Sequence, residues 1–183
     1  VLKHEKSYQM SPEDVVLALR AVIHGDVNKD VRPIVESGVP VRPLEDRKAV
    51  QANSIDRILQ YAALSHAQYE KIDLRKPMAD AIVANRIDLL ERLCAWVPNN
   101  VDVRGYYVDH LIECLKFAMA EDRKDAALSL IATIEAKYKE ALDPNIIDDL
   151  FWSAVESNSS ALVSAFIRLL SLIHISEPTR QHH

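Results

Sequence analysis

Ala81-Ile82-Val83-Ala84-Asn85-Arg86-Ile87-Asp88-Leu89-Leu90-Glu91-Arg92-Leu93 carries the pattern of a helical hairpin. Apolar residues recur three and four apart on both sides of Asn85, the period of an amphipathic helix. The polar Asn85-Arg86 pair interrupts them, so the stretch reads as two short helices around a tight turn. A small Ala81 inside the first helix lets the paired helix approach closely. Asn85, four residues on, ends that helix and tolerates a left-handed turn. Asp88 falls near the start of the next helix, where a carboxylate can cap, and Leu89-Leu90 face the neighbouring unit. The same frame recurs: Ala49, Asn53 and Asp56 match it at an offset of 32, Ala118, Asp122 and Asp125 at 37, and Ala154, Asn158 and Ala161 a further 36 residues on. Ala21 and Gly25 form a looser fifth copy. Self-similarity at this period means helical hairpins stacked side by side.

Ser11-Pro12-Glu13-Asp14 is a helix start: a capping hydroxyl, a proline suited to the first helical position, and acids for the positive end of the macrodipole. Asp143-Pro144 is a second start of the same type, and Gly25 a stop. A short helix is expected near 31–37. Helical segments follow at 44–52, 55–68, 77–84, 87–96, 106–120, 123–141, 145–156 and 160–169, with Val97-Pro98-Asn99-Asn100 as a breaker. Only three glycines occur in 183 residues, against an average usage of about 7 %. Gly25, Gly38 and Gly105 stand too far apart for a phosphate loop or a dinucleotide fingerprint. The expectation is an all-α chain of stacked helical hairpins, a solenoid of irregular repeat length.

Lys plus Arg number 22 and Asp plus Glu 27, a formal balance of −5. That argues against nucleic acid as a partner, since phosphate backbones require a basic face. With 49 % hydrophobic and 27 % charged residues, the composition is that of a folded globular chain. Two cysteines, Cys94 and Cys114, make no disulfide framework and suit reduced thiols in an intracellular, cytoplasmic setting. No apolar run reaches the roughly 18 residues of a membrane span, and no membrane partner is expected.

The best copy, Pro77-Met78-Ala79-Asp80-Ala81-Ile82-Val83-Ala84-Asn85-Arg86-Ile87-Asp88-Leu89-Leu90, resembles the ankyrin repeat in the register of its proline, alanines, turn and paired apolar residues. Ala18-x-x-Ala21-x-x-His24-Gly25-Asp26, with Ile34-Val35-Glu36-Ser37-Gly38, is similar. The resemblance covers about residues 12–168 and is degenerate. The key alanines stand 28, 32, 37 and 36 apart, where the family keeps about 33, the Thr-Pro-Leu-His tetrad is never complete, and most hairpin glycines are missing. The resemblance implies a non-catalytic interaction module with a protein partner and no cofactor. The rival expectation is a regulatory or substrate-positioning arm of a larger enzyme. Residues 1–11 read as an N-terminal extension and 12–169 as the repeat domain of four to five units. Leu170-Ser171-Leu172-Ile173-His174-Ile175-Ser176-Glu177-Pro178-Thr179-Arg180 resembles a sequencing adapter translated in frame. Residues 170–183 are therefore expected to be a foreign tail, and the natural chain to continue beyond this segment.

Candidate chemistry is sparse. His110 and Cys114, four apart, put two zinc-ligand types on one helix face. No second pair accompanies them, so the spacing reads as a polar stripe over a buried thiol and no metal is expected. Neither cysteine has a local activating group, which leaves no catalytic nucleophile. The acid pairs Glu45-Asp46 and Asp148-Asp149 sit at expected helix starts, where the macrodipole accounts for them. Lys137, Lys139, Glu135 and Glu140 make a solvated face of mixed charge. Trp96 and Phe151-Trp152 read as core. Arg104, Tyr106 and Tyr107 are the candidate partner-binding residues, since tyrosine and arginine are favoured interface anchors, although tyrosines packed on a neighbouring helix would show the same pattern.

Overall fold

The computed structural model describes residues 10–25, 44–64, 72–96 and 104–176, and these are all-helical. The short helix expected near 31–37 and the breaker at 97–100 lie outside the described residues. The elements are α1 (Pro12–His24), α2 (Leu44–Leu64), α3 (Arg75–Val83), α4 (Ile87–Ala95), α5 (Arg104–Ala120), α6 (Lys124–Lys137), a 3-10 turn (Lys139–Ala141), α7 (Pro144–Glu156) and α8 (Ser160–Ser176). Both expected starts form. The Ser11 hydroxyl accepts from the Asp14 amide and the Asp14 carboxylate accepts from the Ser11 amide, each at 3.1 Å, a reciprocal capping box. Asp143 accepts from the Asn145 amide at 2.9 Å, with Pro144 in the first turn.

Three turns are built alike. Asn85, Asp122 and Asn158 have φ of 54°, 52° and 53°, the left-handed region, and are the non-glycine residues in it among those described. The Asn85 amide donates to Ile82 O and the Arg86 amide to Ala81 O. Asp122 to Met119 and Arg123 to Ala118 repeat the pattern, as do Asn158 to Val155 and Ser159 to Ala154. This paired closure satisfies the last carbonyls of each helix. Ala81, Ala118 and Ala154 have no exposed surface, so the small residue sits where the helices of a pair close up.

The two remaining sequence copies do not take this form. Ala21 and Ala49 are exposed. Residues 44–64 form one helix, not two segments broken at 53–54. Ala52, Ile55, Leu59 and Ala62 are all buried, a stripe at three- and four-residue spacing that only a continuous helix keeps facing the core. The Ser54 hydroxyl donates back to Val50 O at 2.9 Å and stays within the helix. α8 runs to Ser176, past the 160–169 expected, and Ile173 is buried.

Among the described residues successive helices pair: α1 with α2, α3 with α4, α5 with α6, and α7 with α8. Beyond its pair, α3 touches α1 and α5, α4 touches α2 and α6, and α6 touches α8. α5 and α7 do not run closely together, and the 3-10 turn packs on α5, α6 and α8 between them. One apolar core extends from Val15 through Leu90 and Leu115 to Phe166 and Leu169, all with at most a trace of exposure. Polar rungs join α2, α4, α6 and α8. Asp56 pairs with Arg92, the Ser129 hydroxyl donates to Glu91 at 3.3 Å, and Arg168 donates to Glu135 at 2.7 Å. Among the described residues no helix is long and apolar enough to cross a membrane.

Candidate functional site

The expected partner-binding residues lie at the start of α5, against the start of α3. Tyr107 is 4 % exposed, its ring edge-on to Trp96 at 5.7 Å and to Tyr106 at 5.4 Å. Burial pushes its phenol up, and the Ile72 amide stands at its oxygen. Tyr106 is half-buried, its ring 4.1 Å from that of His110 and tilted 58° to it. The side chain of Arg104 lies outside the described residues. A partner meeting this end of α5 therefore meets Tyr106 and not the ring of Tyr107. Phe151 is half-buried, but Trp152 is 57 % exposed and not core. Consecutive helical residues point about 100° apart, so only one of the two faces inward.

An ion-pair cluster borders these rings. Arg75 donates to both carboxylate oxygens of Asp73, at 2.9 and 2.8 Å, and to Glu113 of α5 at 3.1 Å. The guanidinium holds the Asp73 carboxyl below its ordinary range, and the two acids raise the Arg75 pKa. His110 is buried at 2 % exposure, and neither ring nitrogen has a hydrogen-bond partner. Asp73 Oδ1 lies 3.8 Å from Nε2, too far for a hydrogen bond. Burial pulls the imidazole pKa down. His110 and Cys114 do share a face of α5, yet Cys114 turns its sulfur toward Met78 Sδ, 3.7 Å away. Among the described residues no group of three His, Cys, Asp or Glu is arranged to hold a metal. Burial pushes both Cys94 and Cys114 up to about 12, which leaves each thiol protonated at neutral pH. Asp46, Asp148 and Asp149 are exposed.

Arginines at the turns carry a role that residue spacing did not signal. Arg86, immediately after Asn85, donates to Asp88 at 2.8 and 2.6 Å and also to Gln51 Oε1. Gln51 in turn donates to the carbonyls of Val22, at 2.9 Å, and Gly25. A buried polar chain thus closes the end of α1 and ties it to α2 and to the α3–α4 turn. Arg123 holds the equivalent place after Asp122 and reaches Val83 O at 3.4 Å. Arg123 brings positive charge to the negative end of α3, whereas Arg86 reaches the end of α1 through Gln51. Asp88 is in the first turn of α4, held low by Arg86 and by the amides of Leu89 and its own residue. The recurrence of Arg directly after the left-handed residue, at 86 and 123, is the sequence signal for this device.

Where α7 stands away from α5, a cleft of about 280 Å³ opens. Met119, Leu150 and Leu162 supply apolar walls, and Lys116, Arg123 and Lys124 set three cations there against the single carboxylate of Asp122. Arg123 Nε is buried without a partner. Comparison with protein-family models, with curated proteins and with solved structures gives no match.

Proposed function

We propose that the chain is a non-catalytic protein–protein interaction module, a degenerate ankyrin-like stack of helical hairpins with a binding cleft between its last two pairs. The observation that carries this reading is the threefold turn at Asn85, Asp122 and Asn158, identical in backbone sign and bonding and spaced 37 and 36 residues apart. Stacks of this kind bind partners along extended surfaces. The perturbed groups favour binding over catalysis. Asp73 and Asp88 are lowered by arginine partners, and the thiols are raised by burial. Neither these two carboxylates nor these two thiols are poised near neutrality as a general acid or base requires. The cleft, with apolar walls and a surplus of cations, suits a protein segment that carries a carboxylate beside an apolar side chain.

A photo-crosslinking amino acid at Ser153, in the cleft, and at Ala132, exposed on α6, tests the assignment. A discrete adduct from Ser153 alone, lost on Lys124→Glu, is expected. Equal labelling from both positions, or an adduct indifferent to that charge reversal, would place binding elsewhere.

A further inference from the structure

The repeated turns put residues of successive pairs in register at offsets of 37 and 36. Met78, Leu115 and Phe151 share one register position, Ile82, Met119 and Val155 a second, and Cys94, Ile131 and Ile167 a third. In the α3–α4 pair, Met78 and Cys94 face the pair that follows. Met78 Sδ meets Cys114 of α5 at 3.7 Å, and the titratable groups acting on Cys94 include Cys114 and Lys137 of the α5–α6 pair. Burial then fails in order along the chain. Met78 and Leu115 are 2 % and 0 % exposed, while Phe151 is only half-buried. Ile82 is 0 % exposed, Met119 half-buried and Val155 40 % exposed. Cys94 and Ile131 are 4 % and 0 % exposed, and Ile167 is 52 % exposed. The contacts run in parallel: α4 has α6 beyond it and α6 has α8, whereas among the described residues α8 packs on α6, α7 and the 3-10 turn.

We infer that the face built by Phe151, Val155 and Ile167 receives a further helical hairpin of the same register. This rests on the stacked-hairpin reading above. The occupant's chemistry follows from the interfaces already made. One helix presents a small or aliphatic side chain to Phe151, as Cys114 does to Met78. The other covers Ile167 with aliphatic surface, as the interior of the stack covers Ile131. A polar outer surface would need no such cover, and terminal units of helical stacks ordinarily carry one.

The test extends the chain in register. Residue 173 is in register with Lys137, so a second copy of residues 138–176 is joined after Ile173. The melting temperature is expected to rise by about 5 °C or more, the shift that a buried apolar interface gives a chain of this size. Ile167→Asp should abolish that rise while moving the unextended chain by less than about 2 °C, as suits a half-exposed side chain. An unchanged melting temperature, or a rise that Ile167→Asp leaves intact, overturns the inference. So does a concentration-dependent dimer of the unextended chain that Ile167→Asp disperses, because a second copy would then cover the face. Hydrogen exchange on the unextended chain separates the two failures. Protection graded from pair to pair keeps the stack while the hairpin inference falls; a single uniform opening removes the stack reading itself.

Discussion

Asn85, Asp122 and Asn158 hold backbone that costs most L-residues about 1–2 kcal/mol, and that polar side chains of this size tolerate. Asp122 is the informative one, because its side chain is 83 % exposed and its ion partner Lys124 is 3.8 Å away. Asp122→Gly should leave urea stability unchanged or raise it slightly, while Asp122→Val should lower it by about 1–2 kcal/mol. Equal effects from the two would mean that the left-handed turn carries no strain. His110 makes a second prediction. Burial holds its pKa below 6.5, so the folded protein keeps the ring neutral while the unfolded chain binds a proton near 6.5. Stability should therefore be flat above that pH and fall as pH drops from 6.5 through the lower folded value. Asp73 and Asp88, lowered from 3.8, contribute stability that is present above 3.8 and lost only on further acidification, so neither adds to a loss that begins near 6.5. Urea midpoints at about pH 7 and about pH 5 should differ for the parent and coincide for His110→Leu. An equally acid-sensitive variant would move the effect to another group.

At the scale of elements, the pairs close on alanine. Ala81→Leu and Ala154→Leu should each destabilise by about 1–3 kcal/mol through overpacking, whereas Ala49→Leu, on an exposed position, should change little. Thermal melts of the three check this, and a large loss at Ala49 would restore the broken α2 that the structure lacks. The contrast shows what the residues made legible. Starts at Ser11 and Asp143 were readable because capping is local chemistry, and so were the turns at 85, 122 and 158, where a polar residue closes a periodic run. Asn53 carries the same local letters, yet its helix continues because the buried stripe through Ile55 and Leu59 outweighs a weak stop signal. The Arg86–Gln51 chain was hidden for a different reason. It joins residues 35 apart whose meeting depends on packing. Tyr107 and Trp152 exchanged their expected places, since helix rotation, not residue type, decides which neighbour faces inward.

Across the whole molecule, cohesion rests on apolar contact between neighbouring pairs, with ion pairs at the surface. Exposed pairs such as Asp56–Arg92 and Glu135–Arg168 contribute about 0–1 kcal/mol each and are screened by salt. Raising the salt to about 1 M should thus move the melting temperature by less than about 3 °C. A larger drop in calorimetry would give the rungs a weight that their exposure does not suggest. The order of contacts has a mechanical consequence as well. Pulled apart by its two ends, a chain whose helices touch chiefly the next pair along is loaded in series, like links, and not in parallel, like a clamped sheet. If the proposed stack holds, tension should reach each pair in full and peel the weakest first, so that the chain is expected to yield in short steps and to shorten again by the same steps when slackened, as a soft spring does.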